Sequence, residues 1–92
     1  MTAKALGDYW LRAAGLAFQA HHLVRVAQRE PSSCAESECR WMLAALLSEG
    51  AQHLLKDVEG LDAADKELVA SKRRLLCLLR RLIEILRSLP SL

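Results

Sequence analysis

Residues 62–89 read DAADKELVASKRRLLCLLRRLIEILRSL, and their apolar positions decide the fold. Leu68, Val69, Leu75, Leu76, Leu78, Leu79, Leu82, Ile83, Ile85, Leu86 and Leu89 fall within this stretch at helical spacing. At about 100° per residue they cover a sector roughly 200° wide, about twice the narrowest stripe by which a surface helix is buried. The opposite side carries Lys66, Arg73, Arg74, Cys77, Arg80, Arg81, Glu84 and Arg87. A helix so broadly apolar asks for two contact surfaces, one inside its own fold and one from another molecule. The expectation is a surplus on this helix that a homodimer or a protein client covers.

Working outward, the two prolines, Pro31 and Pro90, sit where helices stop or start. The first helix is expected over about 4–29, with Leu6, Tyr9, Trp10, Ala13, Leu16, Ala17, Ala20, Leu23, Val24 and Ala27 as its buried stripe. Ser33 followed by Glu36 has the spacing of a capping box. A second helix is therefore expected over about 34–58. Its buried side would be Cys39, Leu43, Leu46, Leu47, Gly50, Ala51, Leu54 and Val58, with Gly60 as the stop. Asp62 suits the N-cap of a third helix over about 62–89, placing Asp65 and Glu67 in its first turn. Two short connections between long amphipathic helices favour antiparallel neighbours. The fold expected is all-α, a single up-down-up bundle over 1–92, completed by dimerisation.

Composition agrees with a packed helical core. Of 92 residues, 52% are hydrophobic and 26% charged, which argues against wholesale disorder. Three cysteines, Cys34, Cys39 and Cys77, are an odd number, so they cannot all pair within one chain. Reduced thiols fit a cytoplasmic protein, and the small all-helical type is bacterial in style. The net charge of +2 is unevenly spread. Residues 31–61 hold two cations against five carboxylates, a balance of −3, whereas from Lys72 onward six cations face Glu84 alone, a balance of +5. An acidic middle and a basic end can attract within one bundle or between two copies. The apolar run Ala13–Ala20 is short and contains Gln19, unlike an export signal. Arg80 and Arg81 interrupt the Leu-rich tail too early for a membrane span.

Several residues stand apart from the core pattern. Leu11, Gly15, Phe18 and His22 form a second line on the first helix, spaced i, i+4, i+7, i+11, in which Gly15 would let another backbone approach. Trp41 projects from the polar side of the second helix, and aromatics recur as interface anchors. Leu11, Phe18 and Trp41, with Leu78, Ile85 and Leu89, are the expected partner-binding residues, rimmed by Arg74 and Arg81. Arg73, Arg74, Arg80 and Arg81 also surround Cys77 within one turn, an arrangement that favours a reactive thiolate. The same arginines could follow phosphates, so a dimeric nucleic-acid-binding regulator is the alternative reading. Interleaved aromatics and a helix-turn-helix are both missing from it.

Metal and enzyme chemistry find little purchase. His21, His22, His53, Cys34 and Cys39 offer neither a C-x-x-C nor an i, i+4 histidine pair. The chain is similar in size and helix plan to the small helical copper- and nickel-sensing repressors, which use a Cys on the second helix with a His and Cys near its end. Cys39 matches the first position, but Val58, Glu59, Gly60 and Leu61 supply nothing at the second. No metal and no cofactor are expected. The chain also lacks a nucleophile elbow, a phosphate-cradling glycine loop and paired carboxylates. The function expected is therefore non-enzymatic: an adaptor, an anti-activator of a regulator, or a secretion-type chaperone that binds protein through exposed helix faces.

Overall fold

A computed structural model describes residues 2–29 and 34–89, with the side chains of residues 2–26 and 39–89. Three helices pack against one another: α1 (Ala3–Arg29), α2 (Cys34–Glu59) and α3 (Lys66–Ser88). No strand occurs among the described residues. The expected Ser33–Glu36 capping box lies outside the described side chains.

Three of the helix ends have a local chemical cause. Thr2 opens α1: its hydroxyl oxygen accepts from the Ala5 N–H at 3.1 Å, satisfying a donor that has no partner within the helix. At the end of α2, Gly60 N–H reaches Lys56 O at 3.2 Å and Leu61 N–H reaches Val58 O at 3.1 Å. Gly60 ends the helix as its position suggests, but without the left-handed backbone of a typical glycine stop. Lys72 does that capping work instead, donating to the carbonyls of Glu59, at 3.2 Å, and Leu61. A cation there also meets the negative end of the α2 dipole.

The start of α3 differs from the expectation. Asp65, not Asp62, is the N-cap: its backbone is extended and its Oδ1 accepts from Leu68 N–H at 2.8 Å. Both aspartates fit a cap, but residues 61–64 are taken up in crossing from α2, with Leu61 and Ala63 half-buried along the way. Glu67 remains in the first turn, where its charge suits the dipole.

The core forms two clusters along a rod of 50 × 19 × 18 Å. Leu6 and Ala13 of α1 pack with Leu54 and Val58 of α2 and Leu75 and Leu79 of α3. Ala20 and Leu23 pack with Ala44 and Ala51, and with Leu82, Ile83 and Leu86. Trp10 joins α1 to α3 directly, its indole N–H donating to Ser71 Oγ at 2.9 Å. The stripe expected for α1 is buried or half-buried throughout its described part.

Two expectations are corrected here. The surplus apolar surface is not on α3. Because α3 touches both other helices, its wide sector closes: Leu75, Leu79, Leu82, Ile83 and Leu86 are buried, and Leu68, Val69, Leu76, Leu78 and Leu89 are half-buried. Ile85 alone of that set is exposed. The second correction concerns the first part of α2: Ala51, Leu54 and Val58 are buried as expected and Leu47 and Gly50 half-buried, but Cys39, Leu43 and Leu46 are exposed, and Ala44 and Ser48 are buried in their stead. At 100° per residue the helix is turned by roughly 60° from the expected phase. In that first part the small Ala44 and Ser48 face the core, allowing close approach of the helices, and Trp41, Met42, Leu43 and Leu46 are turned out. The buried Ser48 hydroxyl is satisfied by Gln52 Nε2 at 3.3 Å.

Candidate interaction surface

Among the described side chains, seven large apolar ones are left exposed: Leu11 (73%), Phe18 (77%), Trp41 (57%), Met42 (59%), Leu43 (49%), Leu46 (62%) and Ile85 (47%). Single exposed leucines are ordinary on any protein surface, so grouping is what carries information. Leu11 and Phe18 lie seven residues apart on one line of α1, on the side away from both core clusters. Met42, Leu43 and Leu46 occupy successive turns of α2. Sequence reasoning placed Leu43 and Leu46 in the core and did not single out Met42. Their i, i+1, i+4 spacing was the available signal, read with the wrong helix phase.

The residues expected to bind a partner are distributed around the rod. Leu78, Ile85 and Arg81 come together in a groove of about 600 Å³ between α1 and α3, opposite Ala17 and Val24 and beside His21 and Glu84. Trp41 borders a smaller groove of about 290 Å³ between α2 and α3, with Leu86 and Arg87 across from it. Leu89 is half-buried against the cluster that contains Leu86. A third groove lies between α1 and α2, and Leu11 and Phe18 are outside its lining, on the neighbouring exposed side of α1.

That third groove, about 410 Å³, has glycine on both sides: Gly15 from α1 and Gly50 from α2, with Leu16 and Leu54 beneath. A Cβ at Gly15 would meet nothing within 4 Å, and one at Gly50 would meet only Leu16 Cδ2 at an ordinary 3.7 Å. Neither residue has a positive φ. Mid-helix glycine costs about 0.5–1 kcal/mol relative to alanine, and nothing in the single chain requires it at either position. Arg12 and Gln19 form the α1 rim, and His53 and Asp57 the α2 rim. Arg12 is held over the Tyr9 ring, 5.6 Å from its centroid.

The arginines of α3 are all exposed and run in two adjacent lines, Arg73, Arg80 and Arg87 on one and Arg74 and Arg81 on the other. Arg81 borders the α1–α3 groove and Arg87 the α2–α3 groove, while Arg73 lies near the start of the helix beside Lys66. Arg80 is engaged by Glu59 of α2, with Nη2 to Oε1 at 3.4 Å. That contact realises, within the bundle, the attraction between the acidic middle and the basic end. Arg74 is exposed one turn before Leu78. Cys77 is an exposed free thiol on the outer side of α3, and Cys39 is likewise free and exposed. Among the described residues, no group of three or more His, Cys, Asp or Glu side chains is placed to hold a metal ion. Among the described residues, no helix is long and apolar enough to cross a membrane.

No protein-family model, curated protein or solved structure matches the chain.

Proposed function

We propose that this protein is a non-enzymatic helical interaction module whose exposed helix faces bind another protein. Its three helices would alternate in direction, up-down-up, as short connections favour. The carrying observation is the set of seven exposed large apolar side chains on so small a bundle. Complete burial of such a side chain contributes about 1.5–3 kcal/mol, so the unrealised part over seven of them is roughly 6–12 kcal/mol. That is comparable to the stability of a whole small domain. An adaptor, an anti-activator or a secretion-type chaperone would each use such faces, receiving an amphipathic helix in a groove.

The test compares capture of proteins from source cells by the immobilised wild type and by a Leu11→Glu/Phe18→Glu variant. Both positions are exposed, so the variant should keep its helical circular dichroism. Partners held by the wild type should be lost from the variant. An identical set of captured proteins would overturn this reading. Charge reversal at Arg73, Arg74 and Arg81 separates the nucleic-acid alternative, since it should leave an apolar contact largely intact.

A further inference from the structure

The α1–α2 groove carries three features that point to the same occupant. Gly15 and Gly50 face each other across it, and the single chain needs glycine at neither position. Bare side chains lie close to it along the same two helices: Leu11 and Phe18 within four residues of Gly15 on α1, and Leu46 one turn before Gly50 on α2. Its rims carry opposite charges, Arg12 on α1 and Asp57 on α2, which line the same groove without forming an ion pair with each other.

We propose that a second copy of this chain occupies this face, α1 of each copy packing along α2 of the other; the inference rests on the reading of an interaction module and names its partner. Rotation about a two-fold axis along the rod brings Arg12 of one copy against Asp57 of the second, and repeats the contact by symmetry. The same rotation sets Phe18 over Gly50 and Leu46 of the second copy, a large side chain against a small one. Gly15 and Gly50 then allow the helices of the two copies to approach closely, and α1 and α2 from both complete a four-helix core. A lateral face of the 50 × 19 Å rod is large enough. A stable interface buries about 800 Å² on each partner.

Sedimentation equilibrium of the full chain at micromolar concentration, under reducing conditions, tests this. The wild type should sediment as a dimer, and Phe18→Glu/Leu46→Glu as a folded monomer. Arg12→Asp and Asp57→Arg should each weaken association by roughly tenfold or more, because each places like charges opposite one another twice. The double variant Arg12→Asp/Asp57→Arg should recover most of the loss. Gly15→Ala/Gly50→Ala guards against a trivial folding failure: it should raise the melting temperature of the dilute chain while weakening the dimer. A wild type that remains monomeric, or a charge swap that recovers nothing, overturns the proposal. If the monomer still loses a foreign partner through Leu11→Glu/Phe18→Glu, the interaction-module reading survives and only the second copy is excluded.

Discussion

Asp65, Ser71 and Lys72 lie within two turns of one another, yet each ties α3 to something different. Asp65 satisfies the first turn of its own helix, Ser71 accepts from Trp10 of α1, and Lys72 holds the carbonyls that end α2. Apolar packing is non-directional, whereas these bonds fix where α3 begins and how it sits along its neighbours. Asp65→Ala should lower unfolding free energy by about 0.5–2 kcal/mol, the usual loss for an N-cap carboxylate. Ser71→Ala leaves the half-buried indole N–H without its acceptor and should cost about 1 kcal/mol. Urea titration measures both, and an unchanged slope with a lowered midpoint would show that the bond was lost without a change in compactness.

Among the elements, α2 is the one whose sequence and packing disagree most. The line through Ala44, Ser48, Ala51, Leu54 and Val58 is buried, while Leu43 and Leu46 are exposed. Ala51→Leu should therefore destabilise the fold by about 1–3 kcal/mol through overpacking. Leu46→Glu should change the stability of the single chain by less than about 0.5 kcal/mol. If thermal or urea unfolding gave the reverse order, the phase assigned to α2 would be wrong. The three helices themselves were legible, because Leu6, Ala13 and Ala20 in α1, and Leu75, Leu79, Leu82 and Leu86 in α3, recur with clear helical period. The buried side of α2 was legible at Ala51, Leu54 and Val58 but not in its first part, where alanines and leucines alternate and bulk alone suggested that Leu43 and Leu46 go inside. Asp62 read as the cap because it opens the polar start of the stretch, and nothing in the sequence marks residues 61–64 as taken up by the crossing. Leu11 and Phe18 stood out because they fall off the main stripe, whereas Met42, Leu43 and Leu46 were hidden by the phase error.

For the whole molecule, the two core clusters leave the outer side of α3 as the surface most remote from the α1–α2 groove. Cys77 lies there with Arg73, Arg74, Arg81 and Glu84 exposed around it. Its thiol should react with an aqueous disulfide reagent at the same rate in dilute and concentrated protein. A rate that falls as concentration rises would place this side of the rod, rather than the glycine groove, in contact with another copy. The Arg80–Glu59 ion pair is partly open to water and contributes little to holding α2 and α3 together. The Lys72 clasp across residues 60–65 also governs how copies of this polypeptide meet. For α3 to leave home and finish a neighbour's bundle, that short crossing must straighten and the ammonium must release both carbonyls. Trading of helices is thereby discouraged.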